Sequence, residues 1–180
     1  MAQDSSKTQA SVASAESKKR FISSAIIVFV EIPKGSVNKY EFDEDLGGIK
    51  LDRSNYGPMH WPFEYGYIKG TMGEDGDPLD CCLLSAFSTF SGCLVESRTI
   101  GMLEMEDEAG IDHKILALPI EKVDPRMAHI KDIDDLPEHT KKEIREFFEN
   151  YKNLEPNKWA KLKEFKGKKE AEKIIAKAKI

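Results

Sequence analysis

A short acidic run, GEDGDPLD, lies directly before an apolar stretch of the chain. The glycine and proline within it bend the backbone, so that the carboxylates of Asp75, Asp77 and Asp80 can converge from one side. Carboxylate oxygens suit hard cations such as Mg²⁺, Mn²⁺ or Ca²⁺. The spacing is not that of an EF-hand, because the twelfth position counted from Asp75 is Ala86 instead of glutamate. The run therefore indicates a metal site, with a solvated acidic loop as the alternative.

A second acidic turn occurs in EDEAGIDHK, where Asp107, Asp112 and Lys114 lie between two predicted strands. The alternative is that this turn is also a solvated loop. Two acidic turns in one small β domain nevertheless favour a binding site to which both contribute, since carboxylates from separate loops can share hard cations.

Charged residues also interrupt the predicted strands. Lys39 and Glu41 share one face of KYEFD, which is either a water-facing side or part of a site. Arg53 falls on the apolar face of IKLDR, and Glu31 falls on the face of Phe29 in its own strand. A buried charge must be matched by a partner. These positions predict a polar pocket at the mouth of a barrel.

A predicted helix in LPEHTKKEIREFFENYK adds two further candidates. Tyr151 continues the apolar stripe of Ile144 and Phe148, so its ring packs inward while its hydroxyl needs a partner. Lys152 lies beside it near the end of the helix. The alternative is a core tyrosine next to a surface lysine.

Gathered at one pocket, these residues would bring seven negative charges against four positive ones. The acidic set comprises Glu31, Glu41, Asp75, Asp77, Asp80, Asp107 and Asp112, and the basic set Lys39, Arg53, Lys114 and Lys152. Such an assembly repels itself unless divalent cations enter, and with them it attracts a small, highly charged phosphate compound. The pattern therefore indicates metal-assisted phosphoryl transfer to water.

The elements that must position these residues are mainly short strands, and the chain ends in helices. After about residue 125 the apolar spacing becomes helical in LPEHTKKEIREFFENYK and KKEAEKIIAKAKI. We expect a small barrel or curled sheet with two packed helices in the C-terminal part. The predicted strands lie near Ile26 to Ile32, Lys39 to Phe42, Ile49 to Arg53, Tyr65 to Ile68, Leu79 to Ser85, Cys93 to Met105 and Lys114 to Pro119.

Length and composition place these elements in one soluble domain. The chain has 180 residues, and residues 1–22 are predicted to be a flexible tail, with a transit peptide as the alternative. Residues 23–180 are then a single domain. The net charge of −5 disfavours partners that a protein attracts through an overall positive charge of its own, such as duplex DNA or an anionic membrane. Three cysteines without a CxxC pair fit a reducing compartment.

Several segments together carry a family resemblance. In chain order they are VEIPKGSVNKYEFD, KLDR, EYGYIKGT, EDGDPLD, MEDEAGIDHK, HIKDIDDLPEH and FFENYKNLE. The chain resembles the soluble inorganic pyrophosphatases that use Mg²⁺ and are built on an OB-type β-barrel. The resemblance implies an α+β, mainly β fold with a small closed OB-like β-barrel, and hydrolysis of pyrophosphate to two orthophosphates by a metal-activated water.

The resemblance also implies a role for each residue of the site. Asp75, Asp80 and Asp112 correspond to ligands of the tightest metal, and Asp77 resembles the carboxylate that orients or deprotonates the attacking water. Asp107 and Glu31 match ligands of further metal ions. The groups that hold the two phosphoryl units would be Lys39, Arg53, Tyr65, Lys114, Tyr151 and Lys152, with Glu41 as an acidic neighbour that tunes them.

The family pattern further implies cofactors, assembly and location. About three to four Mg²⁺ ions per active site are expected, with Mn²⁺ or Zn²⁺ as substitutes and Ca²⁺ as an inhibitor. A homo-oligomer is expected, with a hexamer favoured over a dimer, in the cytoplasm, although the N-terminal extension leaves organelle import open. The chain departs from the family at Trp61, where tyrosine is usual, since an indole can pack there but lacks the hydroxyl.

Two other functions fit parts of the sequence. OB-type barrels often bind single-stranded nucleic acid through basic grooves and stacked aromatics such as Trp61, Tyr65 and Tyr67, but the acidic pocket disfavours this. A Ca²⁺-buffering module is disfavoured by the failed EF-hand spacing and by Lys39 and Arg53, because cationic side chains oppose cation storage.

Overall fold

The computed structural model describes residues 25–180. The predicted tail at residues 1–22 and the start of the domain at residue 23 lie outside the described residues. Within the described range the chain forms strands followed by helices, with one late strand between the helices. The elements are β1 (Ile26–Ile32), β2 (Asn38–Asp43), β3 (Gly48–Ser54), β4 (Glu64–Ile68), β5 (Asp80–Leu83), β6 (Leu94–Asp107), β7 (Gly110–Ile111), β8 (Lys114–Pro119), α1 (Glu138–Asn150), β9 (Ala160–Gly167) and α2 (Lys168–Ala178).

Five of these strands form a closed ring. The pairing runs from β1 through β4, β5 and β8 to β6, and β6 pairs with β1 again. All of these pairs are antiparallel except β5 with β8. The mainly β class, the small OB-like barrel and the two C-terminal helices are therefore confirmed. No helix of the described residues has the length and apolar character needed to cross a membrane.

Two strands were not predicted from the sequence. β9 pairs with the second half of β6, and the two residues of β7 form a hairpin with the end of β6. β9 has the sequence AKLKEFKG, whose four charged side chains leave little apolar alternation to recognise. It forms because β1 covers only residues 94–97 on one edge of β6, which leaves the later part of that edge free for β9.

The interior of the ring is built from alternating strand residues. In β1 the side chains of Val28 and Val30 are buried in one apolar cluster, while Phe29 and Glu31 lie on the outer face. After the register shift at Glu31, Ile32 is buried in the other cluster, opposite Tyr65. The expectation that Glu31 shares a face with Phe29 is thus confirmed, although that face is covered by another element instead of lining the interior of the barrel.

The two helices pack against two different apolar clusters of the core. α1 packs Ile144, Phe147 and Phe148 into one apolar cluster. α2 packs Ala171 and Ile175 into the other. The helical stripes predicted from the sequence therefore face the barrel.

The hairpin of β2 and β3 is a separate two-stranded sheet that lies against β1. Phe42 contacts Phe29 edge to face with ring centroids 5.5 Å apart. The register shifts between Lys39 and Tyr40, so that Lys39 pairs with Arg53 while Tyr40 pairs with Leu51. Irregularities of this kind redirect side chains, and this one lies beside two predicted substrate ligands.

Gly66 allows β1 and β4 to approach closely beside the outer face that carries Glu31. A Cβ at Gly66 would lie 1.9 Å from the carbonyl oxygen of Phe29 and 2.9 Å from the backbone nitrogen of Glu31. Both are backbone atoms, which cannot move aside without disturbing the strand pairing. We therefore expect Gly66→Ala to lower the free energy of unfolding by about 3 kcal/mol or more, measured by chemical denaturation.

Gly48 in β3 supplies the matched control, because nothing lies within 4 Å of a Cβ added there. Gly48→Ala should change the free energy of unfolding by less than about 0.5 kcal/mol. Equal stability of the two variants would contradict the close approach at Gly66.

Candidate active site

Lys114 is the centre of the first group of site residues. The residue is 2% exposed, and its Nζ donates hydrogen bonds to Asp80 Oδ2 at 2.5 Å, to Tyr65 Oη at 2.9 Å and to Asp112. The parallel register of β5 and β8 pairs Cys81 with Ile115, so the preceding residues, Asp80 and Lys114, lie side by side. Two predicted metal ligands and two predicted phosphate ligands therefore meet in space.

The opposite charges in this group compensate for the unfavourable free energy of burying each of them. Burial disfavours the ammonium ion of Lys114, but the adjacent carboxylates of Asp80 and Asp112 outweigh it, so its pKa is raised. Burial likewise raises the pKa of Asp112, and repulsion from Asp80 adds to that effect. The pKa of Asp80 is lowered despite burial, because Lys114 stabilises its charged form. Two partly exposed carboxylates thus share one buried cation.

Glu31 lies on the outer face of the ring beneath the hairpin. The register between β1 and β4 shifts between Val30 and Ile32, which places an irregularity at Glu31. Its Oε1 accepts a hydrogen bond of 2.8 Å from the backbone N–H of Phe42. Burial raises the pKa of Glu31 to about 7, and the negative charge of Asp80 contributes to that rise. Glu31 and Asp80 are therefore close enough to repel each other.

A second ion-paired group lies at the end of β6. Lys152 Nζ donates to Asp107 Oδ2 at 2.7 Å and lies 3.6 Å from Glu108. Glu108 also pairs with Lys158. Burial tends to raise the pKa of Glu108, but the hydrogen bond from Lys158 and the other donors around it lower that pKa to about 2. Glu108 and Lys158 were not among the predicted site residues, although Glu108 directly follows Asp107 in the sequence.

The hairpin contributes a third group of charges. Lys39 pairs with Glu41, and its Nζ lies 3.4 Å from Asp52. Asp52 also accepts from Arg53 Nη1 at 2.5 Å. The two predicted phosphate ligands of the hairpin therefore share one carboxylate. Asp52 was not predicted as a site residue, because the alternation of the strand places it on the face opposite Arg53.

Tyr65 and Tyr151 are held by an aromatic cluster that contains Trp61. The indole of Trp61 is 1% exposed, and its ring centroid lies 4.7 Å from that of Tyr65 and 5.8 Å from that of Tyr151. Tyr151 stacks on Phe147 at 5.1 Å. The expectation that an indole can pack here is confirmed, and its Nε1 is buried without a hydrogen-bond partner in the described part of the chain.

Asp75 and Asp77 lie in the exposed turn before β5. Asp75 Oδ1 accepts from the backbone N–H of Asp77 at 3.1 Å, and Gly73 N–H donates to the carbonyl of Asp77 at 2.7 Å. Within residues 25–180, no three His, Cys, Asp or Glu side chains stand close enough together to enclose a cation as they are. The grouping of Asp75 with Asp80 and Asp112 around one metal therefore stays a prediction.

The donor set nevertheless suits a divalent cation. Asp80 and Asp112 already direct carboxylate oxygens at one positive group, and Glu31 and Asp107 act on them electrostatically from nearby. Oxygen donors of this kind are the ligands that Mg²⁺ prefers. Lys114 contacts Asp80 and Asp112, and Lys152 contacts Asp107; ammonium groups of this kind can bind phosphate oxygens. The arrangement can hold a small anion and cations together.

Comparisons with known proteins agree with this chemistry. The sequence model of the inorganic pyrophosphatase family matches residues 28–179. An inorganic pyrophosphatase from Helicobacter pylori is 48% identical over 154 residues, which are 86% of this chain and 89% of the relative. An inorganic pyrophosphatase from Nanoarchaeum equitans is 48% identical over 153 residues, 85% of this chain and 94% of the relative.

Solved structures give the same result. The inorganic pyrophosphatase of Helicobacter pylori superposes with a TM-score of 0.84 at 47% identity, over 86% of this chain and 91% of that one. The enzyme from Thermus thermophilus superposes with a TM-score of 0.84 at 44% identity, over 87% of this chain and 90% of that one. The chain therefore belongs to the inorganic pyrophosphatase family.

Proposed function

We propose that this protein is a Mg²⁺-dependent diphosphatase that hydrolyses inorganic pyrophosphate to two orthophosphates. The observation that carries the proposal is the convergence of Asp80 and Asp112 on the buried ammonium ion of Lys114. A pair of carboxylates beside a phosphate-binding cation is what a metal-assisted phosphoryl transfer needs. Membership of the pyrophosphatase family supports pyrophosphate as the substrate.

The residue roles are proposed as the family resemblance implies them. Asp77 would orient the attacking water and accept its proton. The metal ligands would be Asp75, Asp80, Asp112, Asp107 and Glu31. The phosphate ligands would be Lys39, Arg53, Tyr65, Lys114, Tyr151 and Lys152, with Glu41 supporting Lys39. When bound, the divalent cations would supply Lewis-acid activation of water and charge neutralisation.

The side chains of the chain itself would bind and orient the substrate. Lys39 and Arg53 come from the hairpin and Lys152 from the turn after α1, so cationic groups could hold the anion from two sides. Ordering two reactants in this way lowers the entropic part of the barrier. The aromatic cluster around Tyr65 and Tyr151 would keep water away from the apolar side of the site.

Orthophosphate release from pyrophosphate in excess Mg²⁺ tests this function. Two orthophosphates should appear for each pyrophosphate consumed. A nucleoside triphosphate and a phosphate monoester serve as comparison substrates and should be cleaved far more slowly. Binding of single-stranded DNA without any phosphate release would restore the nucleic-acid alternative instead.

Ca²⁺ is expected to inhibit the Mg²⁺-supported reaction. Its oxygen ligands lie at about 2.3–2.6 Å and in looser geometry than the roughly 2.0–2.1 Å of Mg²⁺, so carboxylates arranged for the smaller ion would hold the substrate out of position. Initial rates at fixed Mg²⁺ with increasing Ca²⁺ should fall steadily. Stimulation by Ca²⁺ alone would contradict the proposed site.

The assembly and setting of the enzyme are proposed on the same basis. We propose that residues 23–180 act as one domain within a homo-oligomer, with a hexamer favoured over a dimer, and that it acts in the cytoplasm without nucleic-acid or membrane partners. Sedimentation velocity of the full chain distinguishes a hexamer from a dimer.

A further inference from the structure

We infer that Glu155 is a positioning residue that holds Arg53 in place for the substrate. The inference deepens the proposed function, on which it rests, because that function makes Arg53 a phosphate ligand. Glu155 ends the segment FFENYKNLE, but it was not among the site residues predicted from the sequence.

The contact between the two residues is long-range and sheltered. Glu155 is 8% exposed, and its Oε1 accepts a hydrogen bond of 3.0 Å from Arg53 Nη2. The two residues are 102 positions apart, Arg53 in β3 and Glu155 in the turns after α1. Charge-assisted pairs of a guanidinium group and a carboxylate are strongly directional, so this contact constrains the orientation of Arg53.

Glu155 is itself fixed by its backbone. Its N–H donates to the carbonyl of Lys152 at 2.8 Å, and its carbonyl accepts from the N–H of Lys158 at 3.3 Å. The carboxylate therefore projects from the same short segment that carries Lys152, a proposed phosphate ligand. The pair of Glu155 with Arg53 sets the distance between a cation of the hairpin and a cation of this segment.

Arg53 keeps donors free for an anion while it is held. A guanidinium group has five N–H donors. Asp52 accepts from Nη1 and Glu155 accepts from Nη2, whereas Nε is buried and has no partner within residues 25–180. The two carboxylates thus anchor the group without saturating it, which leaves it able to bind phosphate oxygens.

This pair also matters because the hairpin is not part of the ring. β2 and β3 form their own sheet, and Arg53 lies near the end of β3. Removing one partner of a fully buried ion pair destabilises a protein, but Arg53 is partly exposed and keeps its contact with Asp52 when Glu155 is lost. Loss of Glu155 should therefore change substrate binding more than folding.

The test compares Glu155→Ala, Glu155→Gln, Arg53→Ala and the double variant Arg53→Ala/Glu155→Ala. The readouts are kcat and KM for pyrophosphate, and the dissociation constant of imidodiphosphate, a non-hydrolysable analogue, measured by calorimetry in Mg²⁺. We expect Glu155→Ala to raise KM and the dissociation constant about tenfold with kcat changed less than about threefold. Glu155→Gln should cost at most about threefold, because its amide oxygen still accepts from Arg53.

The double variant separates positioning from a general structural role. With Arg53 already removed, Glu155→Ala should raise KM by less than about twofold, because the residue that it positions is gone. An equal effect of Glu155→Ala with and without Arg53, or an unchanged KM in Glu155→Ala, would overturn the inference. An effect of Glu155→Gln as large as that of Glu155→Ala would also overturn it, since charge and not geometry would then be responsible.

Two further variants keep the test decisive. Glu164→Ala removes an exposed carboxylate that pairs with Lys166 on β9, and it should leave KM unchanged.

If Glu155→Ala does not fold, Glu155→Asp replaces it, because the shorter side chain keeps the charge but cannot keep the 3.0 Å contact without movement. A KM unchanged in Glu155→Asp would reject the inference. If the wild-type protein neither hydrolyses pyrophosphate nor binds imidodiphosphate, the proposed function fails first, which distinguishes the two failures.

Discussion

Orthophosphate release is expected to stop when a chelator removes divalent cations and to return when Mg²⁺ is added from zero upward. The reason is the charge of the site. Asp80 and Asp112 lie beside each other, Glu31 is repelled by Asp80 and Asp112 by Asp107, and pyrophosphate adds further negative charge. Without cations, repulsion should keep the substrate out, since Lys114 is already engaged by two of these carboxylates.

The measurement is the initial rate against free Mg²⁺ at a fixed concentration of pyrophosphate. Thermal melting of the chelated protein is the control, because the ion pairs of Lys114 and Lys152 already balance the carboxylates in the absence of metal. We expect the chelated protein to remain folded while the rate falls to the uncatalysed background. An undiminished rate in excess chelator would contradict the proposed mechanism.

Asp77→Asn is expected to lower kcat by about 10²–10⁴-fold, the range typical of a lost general base. Asparagine keeps the shape of the side chain but cannot accept the proton of an attacking water. The backbone of the turn should persist, because the bond from the Asp77 N–H to Asp75 and the bond from the Gly73 N–H to the Asp77 carbonyl do not involve the Asp77 carboxylate. Binding of Mg²⁺ by calorimetry should therefore stay close to that of the wild type.

Glu74→Gln is the matched control in the same turn. Glu74 is exposed, pairs with Lys177 of α2 and is not among the proposed ligands. This variant should retain the wild-type kcat within about twofold. Full activity in Asp77→Asn would reject the role of Asp77, and comparable losses in both variants would assign the effect to the turn instead of to the carboxylate.

Most of the fold could be predicted because its strands follow simple alternation. β1 and β8 were predicted with the boundaries that the structure has, and the other predicted strands and both helices lie within a few residues of theirs. β9 escaped prediction because its sequence is dominated by lysine and its pairing depends on the far end of β6. A strand that forms only because a neighbour offers an edge has little local signature.

The residues of the site also divide into those that local motifs mark and those that only contacts between distant parts of the chain reveal. The motifs pointed to Asp80, Asp112 and Lys114, which do meet, because they lie in adjacent turns and strands of the ring. Asp52 and Glu155 were missed, since their significance depends on contacts with Arg53. In the case of Glu155 that contact spans 102 residues, and periodicity does not encode such a distance.

The hairpin has a consequence for solubility. Within the described part of the chain, β2 and β3 pair with no third strand, whereas each strand of the ring has neighbours on both sides. Unpaired strand edges can template association between molecules, and charged side chains along them oppose it. Charges line this hairpin at Lys39, Glu41, Asp43, Lys50, Asp52 and Arg53. These charged side chains, which include the proposed phosphate ligands Lys39 and Arg53, therefore also oppose aggregation. Neutralising several of them at once should lower the solubility of the protein as well as its turnover of substrate.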